Sequence, residues 1–444
     1  MRAREVVLLI FIIAAGLLLT QTYKGNINWN WNWDDWQGPF FGLSHEATAQ
    51  ESQSVAAPLP EELVVVNSHG DVDIQASADG QMTVLLEKKA YRRSEDEAQK
   101  AAEQLHMTIT RRGAKLVLST NRDDFRRRNF VSNFRITVPE GLAVNVRNSY
   151  GLVKTVKTGR TTIDNSHGPV TASDIRGSLV SHNSYDDVAI SDVAADCEVD
   201  CSHGEAAVVR VKGRVQVTDT YGSVRVEDAG GDVVMNGTHA DIHGLKLPGT
   251  VKAETTYRDI SLTEVGPATV IGHLSAIDIK GVKGSLDITD SYGQVKLADV
   301  QGGLAIHGPS VEVSGRSITA PEISISTSNQ NVDLADFSGK TTVTTAHGSV
   351  TLRPAQVTGD ITVKAEYSGI TLIWPAGAKN PFEARTHNGE VRWNLSVKPD
   401  LDQKNGYSLV KAFGSEQGKP QVVLSTSYAN ITIEEAGRAG TGKF

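Results

Sequence analysis

Large side chains are scarce in this chain: its 444 residues include 10 Phe, 10 Tyr and 6 Trp. Four of the tryptophans crowd into Trp29, Trp31, Trp33 and Trp36, so the remainder has to fold around a thin core of Val, Ile, Leu and Ala. Cysteine is nearly missing, and two Cys exclude a disulfide scaffold and a Cys-rich zinc module. A dominant positive field is missing too. With 44 Lys and Arg against 52 Asp and Glu, net −8, the chain lacks the charge of a dedicated nucleic-acid binder, so no nucleic-acid partner is expected. No G-x-S-x-G, H-E-x-x-H or phosphate loop is present. What is there is ordinary for a folded protein, 39% hydrophobic with 41 Gly, and long enough for two or three domains or one long repetitive body.

Arg2 and Arg4 precede an uncharged run from Val6 to Thr20, extendable to Tyr23 before Lys24. As a helix, those 15 residues span about 23 Å, a little short of a hydrocarbon core, so an export signal and a membrane anchor both fit. An A-x-A cleavage pattern appears only far downstream, at Ala47-Thr48-Ala49, which favours an uncleaved signal anchor over residues 6–23. Positive charge before the span places residues 1–5 in the cytoplasm and the body outside. Trp29, Trp31, Trp33 and Trp36 then fall at the membrane interface, where indole rings favour the headgroup zone. Residues 24–60 read as this Trp-rich juxtamembrane segment plus a tether, and 437–444 as a flexible tail.

Repeats organise most of the remaining chain. NSYG at 148–151, NSHG at 165–168, NSYD at 183–186, CSHG at 201–204 and DTYG at 219–222 share one slot. Anchored on its aromatic residue, the series is Tyr150, His167, Tyr185, His203, Tyr221, His239, Tyr257, His273, Tyr292 and His307, in steps of 15 to 19 residues, most of them 18. The two residue types alternate throughout. After a slot held by Asn329, the series resumes with His347, Tyr367, His387 and, past an insertion, Tyr428; SHG at 68–70 stands apart as an early outlier. A fixed short period marks a repeat fold.

Within a unit the pattern is β. In the stretch beginning at Thr220, Val224 and Val226 share one face, Gly230-Gly231 makes a corner, and Val233 and Met235 begin the next strand. Strands this short need neighbours, and corners this frequent exclude βαβ crossovers. These constraints point to a single-stranded β-helix, or β-solenoid, with about 18 residues per coil over 141–436; a flattened 36-residue coil is the alternative. Ser or Thr before the anchor and Gly after it, as in Ser166 and Gly168, are corner chemistry, and Asn148, Asn165 and Asn183 can bond neighbouring corner backbone.

These units resemble the bacterial putative-adhesin domains of unknown function, relatives of the head-GIN group, whose repeats read much like S-N-G-x-V-x-V. The likeness spans residues 61–436. It implies a right-handed β-solenoid and an exported, usually membrane-tethered envelope protein, single-pass in the bacterial cell membrane, with no established catalytic site. The chain departs from the family where His or Tyr occupies a slot often held by Asn.

Residues 61–140 read as an N-terminal β part with strands near Leu63–Val66, Met82–Lys88, His106–Thr110, Lys115–Ser119 and Phe134–Val138. SEDEAQKAAEQLH is a helix capped by Ser94, with Glu97 at capping-box spacing, expected to cover the open first coil. Trp374, Trp393 and the insertion around 395–420 are placed to close the far edge. The basic run from Arg122 to Arg128 reads as a solvated hairpin loop, with a lipid-phosphate or acidic-glycan contact as the other option.

The chemistry is sparse. Histidines in alternate coils would lie about 9.6 Å apart, too far to share a metal, so no metal or cofactor is expected. The column is a stacking ladder in which Tyr separates imidazoles. Cys197 and Cys201 lie about 13 Å apart if extended, beyond disulfide reach, and Cys197 aligns with the inward Val215 as a buried thiol. Asp186 and Asp187 beside Tyr185 are the visible carboxylates for a polysaccharide-active enzyme, yet acidic residues occupy turn-like positions in most coils. A non-catalytic adhesin-like or structural module, whose partner is an envelope protein or a glycan, is the leading expectation, ahead of an enzyme and of an envelope-stress regulator or scaffold. An exposed aromatic patch on the rod would favour specific binding; an evenly polar wall would favour a spacer.

Overall fold

The computed structural model describes residues 45–77, 79–126, 128–414 and 418–437. The expected anchor at 6–23 and the tryptophans Trp29, Trp31, Trp33 and Trp36 lie outside them. Among the described residues no helix is long and apolar enough to cross a membrane.

Parallel strands pair at a separation of about one 18-residue unit, which decides for the shorter coil. Leu179 pairs with Cys197, Cys197 with Val215 and Val215 with Val233 on one wall. Val188 pairs with Ala206, Ala206 with Val224 and Val224 with Ile242 on the other. Each coil therefore has two walls. Alternation on each strand sends Cys197, Val199 and Cys201 inward from one wall and Ala206, Val208 and Val211 from the other, all buried. The spacing widens before the last of these because Arg210 sits in the left-handed region at φ 56°, a one-residue bulge. Asp174, Asp192, Asp228, Lys246, Glu264, Asp299, Ser317 and Asp336 repeat that bulge at φ between 52° and 58°. The result is one apolar cluster running from Leu63 to Ile433, two side chains thick, which explains why so few Phe and Trp are needed.

Both ends reorder the chain. The strands Glu62–Val66 and Val72–Ser77 form a coil wedged between Lys115–Thr120 with Phe130–Pro139 on one side and Ala143–Arg147 with Val153–Val156 on the other. The SHG at 68–70 is therefore no outlier but the corner of a true coil. At the far end the last strands in sequence, Val422–Ser427 and Ile431–Glu435, insert between the coil of Ile361–Ala365 and Ile370–Trp374 and that of Phe382–His387 and Val391–Asn394.

The helix is Glu95–Gln104, with the Ser94 hydroxyl accepting from the Glu97 N–H at 3.3 Å. It does not roof the first coil. Its buried face, Ala98, Ala101 and Ala102, packs with Ala47, Ala90, Leu105 and Phe130 in a separate small cluster. Its C-terminal end is pinned by buried Lys88, whose ammonium donates to Leu105 O and lies 3.1 Å from Glu51 Oε2. The solenoid edge is instead closed by antiparallel strands: Met82–Arg92 on Phe130–Pro139, and His45–Val55 on Met82–Arg92. The tether assigned to 24–60 is thus corrected for His45–Val55. That strand is mostly polar, and backbone pairing across its full length, not hydrophobic alternation, holds it. The insertion near 395–420 closes the other edge: Tyr407–Ala412 runs antiparallel to Phe382–His387, and Asp400–Lys404 pairs with it in turn. Trp374 is buried there, its indole donating to Ala378 O at 3.0 Å.

Candidate functional site

The corner between the two walls carries the recurrent His and Tyr residues, and eight of their rings stand in an unbroken column. His69 meets Tyr150 at 4.4 Å between ring centroids. Tyr150, His167, Tyr185, His203, Tyr221, His239 and Tyr257 continue it at 4.4 to 5.7 Å, with interplanar angles of 16° to 26°. Offset stacking at such distances is attractive, and coil spacing near 4.8 Å supplies it without distortion. The tyrosines are about half exposed, from 45% at Tyr150 to 54% at Tyr257.

Local sequence explains why the rings project outward. Two residues earlier an inward Asn ties successive corners: Asn165 Nδ2 donates to Gly151 O and Gly168 O, at 3.2 and 2.8 Å, and Asn183 Nδ2 to Gly168 O and Asp186 O, at 3.2 and 2.9 Å. One residue after the ring the backbone turns through positive φ. At Gly168, φ is +116° and a Cβ would stand 2.4 Å from Gly151 O, so glycine is required. Cys201 and Asp219 occupy the asparagine position in the next two coils. The Cys201 thiol faces Asp186 O at 3.7 Å. Asp219 is fully buried; its Oδ1 accepts from the Tyr221 N–H at 3.3 Å while Oδ2 has no partner. Burial pushes its carboxyl up to about 6. Asp290 is buried likewise, and desolvation raises it too.

Three members of the sequence series are displaced. His307 leaves the column altogether: it is still on a strand, paired with Thr289 and Ser326, whereas Ser310 pairs with Tyr292. Its step of 15 residues is three short of the corner. Asn329 does belong there, donating to Ser310 Oγ at 3.2 Å. His273 sits one residue before the register position, which Leu274 holds at φ 59°, and so meets Tyr257 and Tyr292 edge-on, at 78° and 79°. His387 is offset in the same way: Tyr428 stacks on Tyr367 at 5.2 Å, and His387 touches Tyr428 edge-on at 65°. A second, shorter column therefore runs His347, Tyr367, Tyr428. Tyr407, which repeat spacing gives no reason to include, stacks on His387 at 4.3 Å from the antiparallel insertion.

The remaining candidates resolve into structure. Asp187 Oδ1 accepts from Glu205 N–H one coil on, at 2.8 Å, as Asp196 does from Arg214 and Asp232 from Thr250. Asp186 Oδ1 accepts from the Asp187 N–H, so the carboxylates beside Tyr185 are engaged by backbone. Cys197 and Cys201 are both free and buried, their thiols pushed up by desolvation to about 12 and about 11. Among the described residues no three His, Cys, Asp or Glu side chains gather as a metal-binding group. In the basic loop Arg122 donates twice to Arg128 O, at 3.1 and 2.9 Å, and Arg128 lies 3.4 Å from Asp123.

Comparison with known proteins bears on the fold. No curated protein matches the chain. Two solved structures align over long stretches with little identity or superposition. A putative cell adhesion protein from Clostridium sporogenes aligns at 9% identity over 88% of this chain and 100% of its own, with a TM-score of 0.17. A putative adhesin from Bacteroides fragilis aligns at 14% identity over 61% of this chain and 96% of its own, with a TM-score of 0.22. Neither value supports an argument from those structures. The family comparison does: residues 61–269 and 250–434 each match Toastrack DUF4097, so the solenoid from its first coil to its last belongs to that family.

Proposed function

We propose that this chain is a membrane-anchored, exported cell-envelope rod that acts as a non-catalytic, adhesin-like binding module. The observation that carries this reading is the ring column: aromatic side chains, the tyrosines among them half-exposed, aligned through eight successive coils on one corner of an otherwise polar rod. A spacer has no use for such a stripe, because coil stacking is already secured by the backbone ladders and the buried apolar core. The anchor reading rests on the apolar run over 6–23 behind Arg2 and Arg4, which would hold the rod to the membrane with its column on the side away from the cytoplasm.

The test has two arms. Membrane fractionation of cells expressing the full chain, followed by protease treatment of intact spheroplasts, should find it membrane-bound and cleaved from outside. Retention of envelope material by the detergent-solubilised full chain should drop with Tyr185→Ser and Tyr221→Ser combined. A protein released by high-salt washing, or retention indifferent to the ring column, would overturn the reading.

A further inference from the structure

The column alternates His and Tyr, although each coil is geometrically equivalent to the next. The fold needs a repeat of one coil; the side chains impose a repeat of two, about 10 Å. From these two periods we infer that the column is a docking strip for a straight, neutral, β-1,4-linked hexopyranose chain lying along the rod axis; this deepens the binding reading above and rests on it.

Three observations lead to that class of ligand. Ring faces are occupied by neighbouring rings, so a sugar cannot lie flat on them; the strip presents ring edges and polar tips. The column's tyrosine hydroxyls make no hydrogen bond within the described residues, and His167 and His239 bury an unpartnered Nδ1, which leaves Nε2 as the solvent-side nitrogen. Glycine comes directly after the ring at Gly70, Gly151, Gly168, Gly204 and Gly222, which keeps one flank of the strip low at those coils, while Asp186, Ala240 and Arg258 stand in that position at the other three. The outer face is therefore a straight comb in which phenol and imidazole alternate.

A β-1,4 linkage turns each sugar half over relative to the last. Equivalent groups then recur every second sugar, and one sugar is about as long as one coil is high, so hydroxyls and ring oxygens meet the same residue type all along the column. Other polymers fall out of step. An extended peptide repeats a side every two residues, about 6.6 Å, which drifts off the two-coil period within a few residues. An α-1,4 glucan coils and cannot track a straight row. A polyanion is opposed by the net charge of −8.

Isothermal titration of the full chain in detergent with chitohexaose, cellohexaose and maltohexaose tests the inference, with the di- and tetrasaccharides as a length series. At least one β-1,4 hexamer should bind ten-fold or more tightly than its disaccharide, and maltohexaose should bind at least ten-fold more weakly. Tyr185→Phe with Tyr221→Phe keeps the stack and removes two hydroxyls; it should weaken the hexamer about ten-fold with an unchanged melting temperature. Equal binding of maltohexaose, no dependence on length, or no effect of the double variant would overturn the glycan class. If no oligosaccharide binds while Tyr185→Ser with Tyr221→Ser still abolishes envelope retention, the glycan inference fails and the binding module stands. If neither assay responds to the column, both fail.

Discussion

Tyr367 stacks on Tyr428 at 5.2 Å with the two rings 10° from parallel, although a coil, a hairpin and part of another coil separate them in the chain. The pair records how the solenoid ends: the last strands of the described chain slide beneath a coil made earlier, and the column closes around the insertion. The same manoeuvre at the N-terminal end puts His69 on Tyr150. Antiparallel strands then lie on the outermost coils, on Phe130–Pro139 at one end and on Phe382–His387 at the other, while the wall strand Val391–Asn394 is paired on its inner side, with Ile431–Glu435; the antiparallel additions limit edge-to-edge association.

Ring stacking in mid-column should have a measurable stability contribution. Tyr185 has a ring neighbour on either side, at 4.8 and 5.1 Å, and each such contact is worth about 0.5–1.5 kcal/mol. Tyr185→Ala should therefore cost about 1–3 kcal/mol in denaturant unfolding. Tyr292→Ala, which loses only an edge contact to His273 at 6.4 Å, should cost less. Equal losses at the two sites would mean that burial of the side chain, not stacking, sets the cost.

Corner glycines leave no room for a side chain. Gly168→Ala forces a Cβ to within 2.4 Å of Gly151 O at a φ of +116°, and should destabilise by about 2–4 kcal/mol. Thermal unfolding by circular dichroism reads this directly. An unchanged melting temperature would show that successive corners can move apart.

Asp219 should make the fold more stable on mild acidification. Its folded-state carboxyl titrates near 6 against 3.8 when free, so ionisation opposes folding above pH 6, and the penalty is relieved as pH falls from about 6 towards 3.8. Asp219→Asn removes the penalty and restores an amide like that of Asn183. It should gain about 1–2 kcal/mol at pH 8, with solvent screening allowed for, and little at pH 4. His69 acts in the opposite sense. Burial and the nearby Arg122 lower its value below 6.5, so the stability it holds above 6.5 is lost as pH falls through that window. Asp290, raised by burial like Asp219, has to be neutralised as well, so urea titrations of Asp219→Asn with Asp290→Asn between pH 4 and 8 should show stability falling with acid, and His69→Gln on that background should lessen the fall.

The two thiols should be silent in the folded protein. With Cys197 and Cys201 pushed up to about 12 and about 11, neither forms appreciable thiolate at pH 8. Iodoacetamide should label both only after unfolding in guanidinium, counted by intact mass. Rapid labelling of one thiol in the native state would place that corner in contact with solvent.

Much of this was legible in the chain. The 18-residue period, the alternation of residues such as Val224 and Val226, the Ser94 cap and the alternation of rings are all consequences of local spacing. What spacing misreported, it misreported for a geometric reason. His307 and His273 lie near the corner in sequence, but three- and one-residue shifts in the turn put them off the register position, and residue type alone cannot reveal a shift that small. Tyr407 and the strand His45–Val55 were illegible because antiparallel additions at an edge obey no repeat.

The sequence by itself determined that a thin aliphatic core repeats along the body and that one corner collects the His and Tyr residues, because both depend on short-range periodicity. Only the tertiary structure decided which rings touch, where the column breaks, and that both ends fold an out-of-order coil into the stack. Those outcomes depend on hydrogen-bond register between distant strands, and register is a property of the assembled walls.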